Sequence, residues 1–262
     1  MAHRDHRVLL LRLAGPLQSW GEQSRFNRRE TRPQPTKSGV LGLLAAAQGR
    51  RREDPLNDLI DLAIGVRVDQ AGTLLRDYHT VSDYRGRPLP QAAVNAKGVQ
   101  KPTSPVKYTH VTQRFYLQDA VFVVGVAGQA ELLESLAAAV RRPAFPLALG
   151  RRSCPPTQPI VLGARPGTLS EALTEQPWQA GQAARRDFQR RHGRPARIDL
   201  PTTVETPDGD DIVHDVPLSF APRDRRYASR RVTYSWVSAP TGYPDPDTPG
   251  AEGHDPFALL GW

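Results

Sequence analysis

Apolar positions fall into a few short runs, and the intervals between them predict the order of elements. Residues 7–13, RVLLLRL, read as a buried strand that Gly15-Pro16 ends. The polar, aromatic and basic stretch 16–35 is too long for a passive turn and reads as an extended loop. Val40, Leu41, Leu43 and Leu44 then take the spacing of a buried helix face, with Thr36 or Ser38 as its cap and Gly49 as its stop. A second helix is predicted over 55–63, opened by Pro55. IGVRVD (64–69) and TLLRDYHTV (73–81) alternate as two strands around an Ala71-Gly72 turn. Periodicity is lost over 82–110. YLQDAVFVVGVAG (116–128) is the strongest strand, and QAELLESLAAAVRR (129–142) is an amphipathic helix closed by Pro143.

Beyond 143 the pattern weakens. A proline-punctuated loop feeds a short strand at 160–162, and residues 164–217 mix arginine pairs with turn residues, with room for a hairpin. RRYASRRVTYSWVS (225–238) alternates as a late strand with Val232, Tyr234 and Trp236 on one face. From Ala239 the Pro, Gly and Asp content predicts a flexible tail. Strand, helix, strand, strand, helix is close to the split βαβ, ferredoxin-like order of an α+β fold. Such sheets often carry RNA, but fold alone assigns no use.

Charge changes this picture. The net charge is +8, which favours a polyanionic partner. Only four of the 35 basic residues are lysine, however, and an arginine-rich composition also follows from GC-rich coding, so distribution has to decide. Arg25, Arg28, Arg29, Arg32 and Lys37 crowd into 13 residues opposed only by Glu30. Trp20 and Phe26 interleave with them, offering both phosphate contact and base stacking. Lys97, Lys101 and Lys107 fall in the aperiodic 82–110 segment, which suits an arm along a polyanion as well as a plain surface loop. Arg151 and Arg152 in LGRRSCPP sit on a stiff loop fit for a phosphate or a subunit contact.

Several chemistries are excluded or weakened. No apolar run spans a membrane, and the start is too short for a signal peptide, so a cytoplasmic protein is expected. A single cysteine, Cys154, allows no internal disulfide. In TKSG the glycines Gly39 and Gly42 follow Lys37, the reverse of a nucleotide-binding P-loop. What remains is a helix mouth with Thr36, Lys37 and Ser38, suited to one backbone phosphate or simply to a capped helix. The histidines show no metal-binding spacing, and PDGDD (207–211) reads as a solvated turn, so neither metal nor cofactor is expected. Tyr78 and His79 are acid/base candidates for RNA cleavage, but strand neighbours face opposite sides. Tyr78 reads better as a structural or stacking residue, and no catalytic residue is assigned.

Four blocks in order over residues 8–165, LRLAGPLQSWG (11–21), PTKSGVLGLLAAAQG (35–49), LRDYHTV (75–81) and LGRRSCPP (149–156), resemble the CasD family. This is the type I-E member of the CRISPR-associated Cas-five group, and RRYASRRVTY (225–234) is a weaker echo. The resemblance implies a ferredoxin-like, RRM-related, RAMP-type domain over 1–163 with an inserted β-hairpin thumb at 82–110. A small C-terminal β subdomain at 164–238 and a tail at 239–262 would follow. It further implies a non-catalytic subunit of the Cascade complex that caps the 5′ end of the crRNA and binds its repeat-derived handle. The thumb would reach the CasC backbone subunit and the body would abut the CasA large subunit, with target DNA met only through the complex. Thr36, Lys37, Ser38 and Gly39 match a motif at the RNA-facing helix mouth. Arg76, Tyr78, His79, Arg151 and Arg152 lie in matching blocks, and Lys97, Lys101 and Lys107 become thumb lysines. In type I-C relatives the corresponding protein is a metal-independent ribonuclease that processes the precursor RNA, which here would draw on Tyr78, His79 or a thumb lysine. A purely structural spacer between CasC and CasA is the third reading.

Overall fold

The computed structural model describes residues 6–21, 27–82, 96–97 and 109–243. In chain order come β1 (His6–Ala14), the short strands β2 (Leu17–Gln18) and β3 (Arg28–Arg29), helix α1 (Lys37–Ala47) and the single turn α2 (Asn57–Ile60). Next are β4 (Ala63–Gln70), β5 (Thr73–Ser82), β6 (Thr109–Gln118), β7 (Val121–Gln129) and α3 (Ala130–Arg141). β8 (Val161–Pro166), α4 (Leu169–Glu175), α5 (Gln182–His192), β9 (Arg197–Glu205), β10 (Asp211–Ser219) and β11 (Arg226–Pro240) complete the described chain. No helix among the described residues is long and apolar enough to cross a membrane.

One antiparallel sheet runs β10-β11-β9-β4-β7-β1-β8. Its core is the unit β1-α1-β4-β7-α3-β8, with strand order β4-β7-β1-β8. Side chains alternate across a strand, so Leu9, Leu11 and Leu13 pack with α1 and α3, while Val8 and Leu10 face the other side. That second face is also covered, by Leu169, Ala172 and Leu173 of α4. Burial on both faces is why residues 8–11 of β1 read as an unbroken apolar run rather than an alternating one.

The structure departs from the sequence expectations in several places. The strong run 116–128 is broken at Asp119, which has φ 56°, and its halves β6 and β7 belong to different sheets. At Gly72 (φ +72°) the chain leaves β4 for β5 so closely against the break that a Cβ would sit 2.4 Å from the Gln118 carbonyl oxygen. β5 and β6 pair from Thr73↔Gln118 to Ser82↔Thr109. The insertion between β4 and β7 is therefore a hairpin with arms beginning at 73 and ending at 118, outside the expected 82–110 bounds. Apart from Ala96 and Lys97, residues 83–108 lie outside the described residues. The short strands β2 and β3 dock on β6.

The expected second helix is only the four residues of α2, because β4 already begins at Ala63. The 164–217 segment, which left room for a hairpin, holds the end of β8 and two helices before β9 and β10. α4 carries a reciprocal cap between Thr168 and Glu171, whereas α5 is too polar to show an apolar period. The C-terminal strands extend the main sheet, since β9 pairs with β4 from Gly65↔Val204 to Arg67↔Thr202. Of the three residues expected on one face of the late strand, Val232 is buried but Tyr234 and Trp236 are exposed. β11 runs through a fully buried Ala239, so the expected tail boundary at 239 falls inside a strand; residues 244–262 lie outside the described residues.

α4 is pinned to the sheet by one buried cation. Arg67 on β4 is fully buried and forms a two-pronged pair with Asp69, both bonds at 2.8 Å. Its remaining donors reach the carbonyls of Leu173, Gln176 (2.6 Å) and Pro177 (3.1 Å) at the end of α4. Asp69 also accepts the Gln179 N–H at 2.6 Å, and the Trp178 indole donates to its backbone carbonyl at 2.8 Å. Burial pushes the Asp69 carboxyl above its ordinary value, against the pull of Arg67. Removing one partner of a satisfied buried pair leaves the other charge stranded, so Arg67→Ala is expected to cost about 3–5 kcal/mol in urea unfolding. Arg67→Met with Asp69→Leu should recover part of that loss; equal stability of Arg67→Ala and the wild type would refute the role.

Candidate nucleic-acid interface

The TKSG motif divides its labour. Thr36 caps α1, its hydroxyl accepting the Gly39 N–H at 3.1 Å. Lys37 turns inward: its side chain is 3% exposed and its ammonium sits 2.9 and 3.2 Å from the two Glu205 carboxylate oxygens. The Lys37 N–H donates to Asp215 at 2.7 Å. Arg230 closes the group, with bonds of 2.6 and 2.9 Å to Asp215 and 3.4 Å to Glu205, which also accepts the Ile64 N–H at 3.1 Å. Burial alone lowers the proton affinity of Arg230, but Asp215 and Glu205 outweigh it and hold the guanidinium above its ordinary value. Lys37 is therefore a joint between α1 and the C-terminal strands, which corrects its assignment to an RNA phosphate.

Gly39 and Trp20 are fitted to each other. Trp20 is 1% exposed and its indole donates to Gln18 at 3.1 Å, so it is core and not a stacking platform. A Cβ on Gly39 would lie 2.7 Å from the Trp20 ring, so glycine admits the indole here, and with Thr36 and Ser38 it also lines the cleft at the helix mouth. Of the four motif residues, Ser38 and Gly39 are half-buried, and Ser38 lines the helix mouth with its hydroxyl 3.2 Å from that of Thr36.

At that mouth lies a cleft of about 310 Å³, with Arg29, Ser38, Arg151, Phe220, Arg225 and Tyr227 in its wall. Arg225 and Tyr227 arrive from the start of β11, far from the predicted basic loop in sequence. Only the RRYASRRVTY echo marked them beforehand. Arg151 lines the cleft, but its guanidinium is largely consumed. It donates to the carbonyls of Phe115 (2.9 Å), Arg29 (2.7 Å) and Glu30 (3.1 Å) and lies over the Tyr116 ring at 4.9 Å. It positions β3, and with it Arg29, instead of offering a free cation. Arg152 beside it is exposed.

The other candidates scatter. Arg28 stacks over Phe115 at 4.9 Å and bonds Glu30 at 2.7 Å; Arg32 is half-buried and its N–H donates to the Trp20 carbonyl at 2.8 Å. Arg76 and Tyr78 are exposed on β5, opposite Phe115 and Gln113, and share a face with Arg28. His79 opposes Thr112 on the other face, so Tyr78 and His79 do not form an acid/base pair. Lys97 is exposed, while Arg25, Phe26, Lys101 and Lys107 lie outside the described residues. Burial pushes the Cys154 thiol up from its ordinary value, which leaves it an unreactive core residue. Among the described residues no three metal-ligating side chains converge.

This frame has known counterparts. The family of the CRISPR-associated protein Cas_Cas5 matches residues 8–233, and the chain belongs to that family. Within it, the chain is 37% identical over 175 residues to the Cascade subunit CasD of Escherichia coli K12, covering 59% of this chain and 70% of the relative. A chain from a CRISPR RNA-guided surveillance complex superposes with TM-score 0.67 at 36% identity, over 89% of this chain and 91% of its own length. The crystal structure of a Cas protein gives TM-score 0.64 at 38% identity, over 90% and 100% of the two chains.

If Lys37 is a joint, Lys37→Ala should lower unfolding stability by about 3 kcal/mol, with RNA affinity of the still-folded protein unchanged within twofold. Gly39→Ala should cost about 1–3 kcal/mol through overpacking against Trp20. Thermal melts alongside an RNA titration at 10 °C separate the two effects; a Lys37→Ala protein of normal stability but weak RNA binding would overturn the assignment.

Proposed function

We propose that this chain is a non-catalytic, RNA-binding subunit of a type I-E Cascade complex that caps the 5′ end of the crRNA and holds its repeat-derived handle. The observation that carries this reading is the cleft where Arg29, Ser38, Arg225 and Tyr227 converge, in a chain related to a Cascade subunit. Guanidinium groups bind backbone phosphates and fix register, while aromatic faces take unstacked bases. Tyr227 in the cleft and Tyr78 on the hairpin are placed for the second task. Target sequence is then read by base pairing with the guide, not by this subunit.

The β4-β7-β1-β8 order supports a ferredoxin-like, RRM-related core. The usual open face of such a sheet is covered by α4, which directs the RNA to the cleft instead. The β5–β6 hairpin is the thumb, reaching the CasC backbone subunit, and the body meets the CasA large subunit. The divergence of Tyr78 and His79 favours the non-catalytic reading over a precursor-processing ribonuclease.

In a titration with labelled handle RNA, Arg29→Ala and Arg225→Ala should each weaken binding and shrink the log–log salt slope by about 0.7 for every phosphate no longer neutralised. A full-length repeat RNA should stay intact with and without EDTA. Normal affinity and slope in both variants would remove the cleft from RNA binding. Cleavage products that vanish in His79→Ala would make the protein the processing enzyme.

A further inference from the structure

The chain's positive charge is not spread evenly. Residues 182–197, QAARRDFQRRHGRPAR, carry six arginines against Asp187 alone, so five of the chain's eight net positive charges sit in sixteen residues. A composition effect of the genome scatters arginine; it does not concentrate it on one helix. These residues are α5 and its exit. α5 buries none of its residues, yet it is firmly held. Phe188 packs edge-on against Trp178 at 5.2 Å. Arg185 donates to the carbonyls of Trp178 (2.8 Å) and Thr241 (2.6 Å) and lies over both the Trp178 and Tyr243 rings.

The outer side is different. Arg186, Arg190 and Arg191 are exposed, and Arg186 and Arg190, one turn apart, flank a shallow depression completed by Ala183 and Gln189. Asp187 is shared between Arg190, at 3.1 Å, and Arg191. Such solvent-exposed pairs contribute little to stability. Two cations in the last turn suffice to complement the helix dipole, which leaves Arg186 without that explanation.

From this anchored, one-sided charge the geometry points to a second nucleic-acid site on α5, one that takes the phosphate backbone of a duplex without reading its sequence. Single strands are held by aromatic platforms as well as charge, and the rings of α5 are spent on one another, Phe188 packing on Trp178 and His192 on Phe188 at 4.6 Å. A row of arginines on a rigid helix needs only phosphates at regular spacing, which a duplex presents. The site is separate from the cleft. α5 is tied to the end of β11 through Thr241, whereas Arg225 and Tyr227 flank its start. Fifteen residues of strand put these ends about 45 Å apart.

The test uses the full chain and fluorescence anisotropy with a 30-base-pair DNA of arbitrary sequence, a duplex RNA of the same length, and the handle RNA, between 50 and 200 mM salt. Arg186→Ala/Arg190→Ala/Arg191→Ala should weaken duplex binding at least tenfold and lower its salt slope by about 2–3. Handle-RNA affinity should stay within twofold of wild type, and Asp187→Asn, which frees two arginines, should tighten duplex binding. An unchanged duplex slope in the triple variant overturns the proposal. So does a parallel loss of handle RNA, which would make α5 part of one diffuse basic surface. Loss of handle binding in the Arg29 and Arg225 variants alone tests the cleft, so the two sites fail independently. Equal loss for DNA and RNA duplexes, or loss confined to one, both support the site and identify which backbone it prefers.

Discussion

Four largely buried charges hold this molecule in its working shape. Lys37, Glu205, Arg230 and Asp215 come from α1, β9, β11 and β10, and every one of them is satisfied by at least two bonds within the group or to backbone. Charges taken out of water are tolerated only when paired this completely. The consequence is geometric: the N-terminus of α1 and the start of β11 are fixed against each other. The cleft exists because those two places meet, since Ser38 belongs to one and Arg225 and Tyr227 flank the other.

The same logic operates on the opposite side of the sheet. Arg67 and Asp69 lock the exit of α4 over a surface that in an open sheet would meet solvent. Covering that surface completes the core, because Val8, Leu10 and Val123 there would otherwise be exposed to water. It also leaves the cleft at the edge of the fold, where β3, the helix mouth and the start of β11 come together.

Arginine thus serves three purposes in one chain. Arg67 and Arg230 are core cations, and Arg151 and Arg185 tie loops by donating to backbone carbonyls and lying over aromatic rings. The remaining group, including Arg29, Arg225 and Arg186, faces outward. The planar five-donor guanidinium suits all three roles, which a compact ammonium does not. Net charge consequently overstates the cationic surface available to a nucleic acid, and the location of each guanidinium decides its meaning.

Local chemistry was sufficient to read β1, α1 and α3, a cap at Thr36 or Ser38, the Gly72 turn and the divergence of Tyr78 from His79, because each depends on residues within a few positions of one another. Family resemblance in four short blocks was equally legible. Tertiary structure decided the rest. Lys37 looked like a phosphate ligand because its partners, Asp215 and Glu205, lie 178 and 168 residues away. Trp20 looked like a stacking residue until Gly39 was seen to admit it into the core. α5 left no apolar period to find, as it is held by Arg185 and Phe188 rather than by a buried stripe. Sequence determines which cations and aromatic rings a chain possesses, since that is composition and local pattern. Which of them meet water is settled only by the long-range pairing of strands that places a carboxylate, a ring or solvent beside each one.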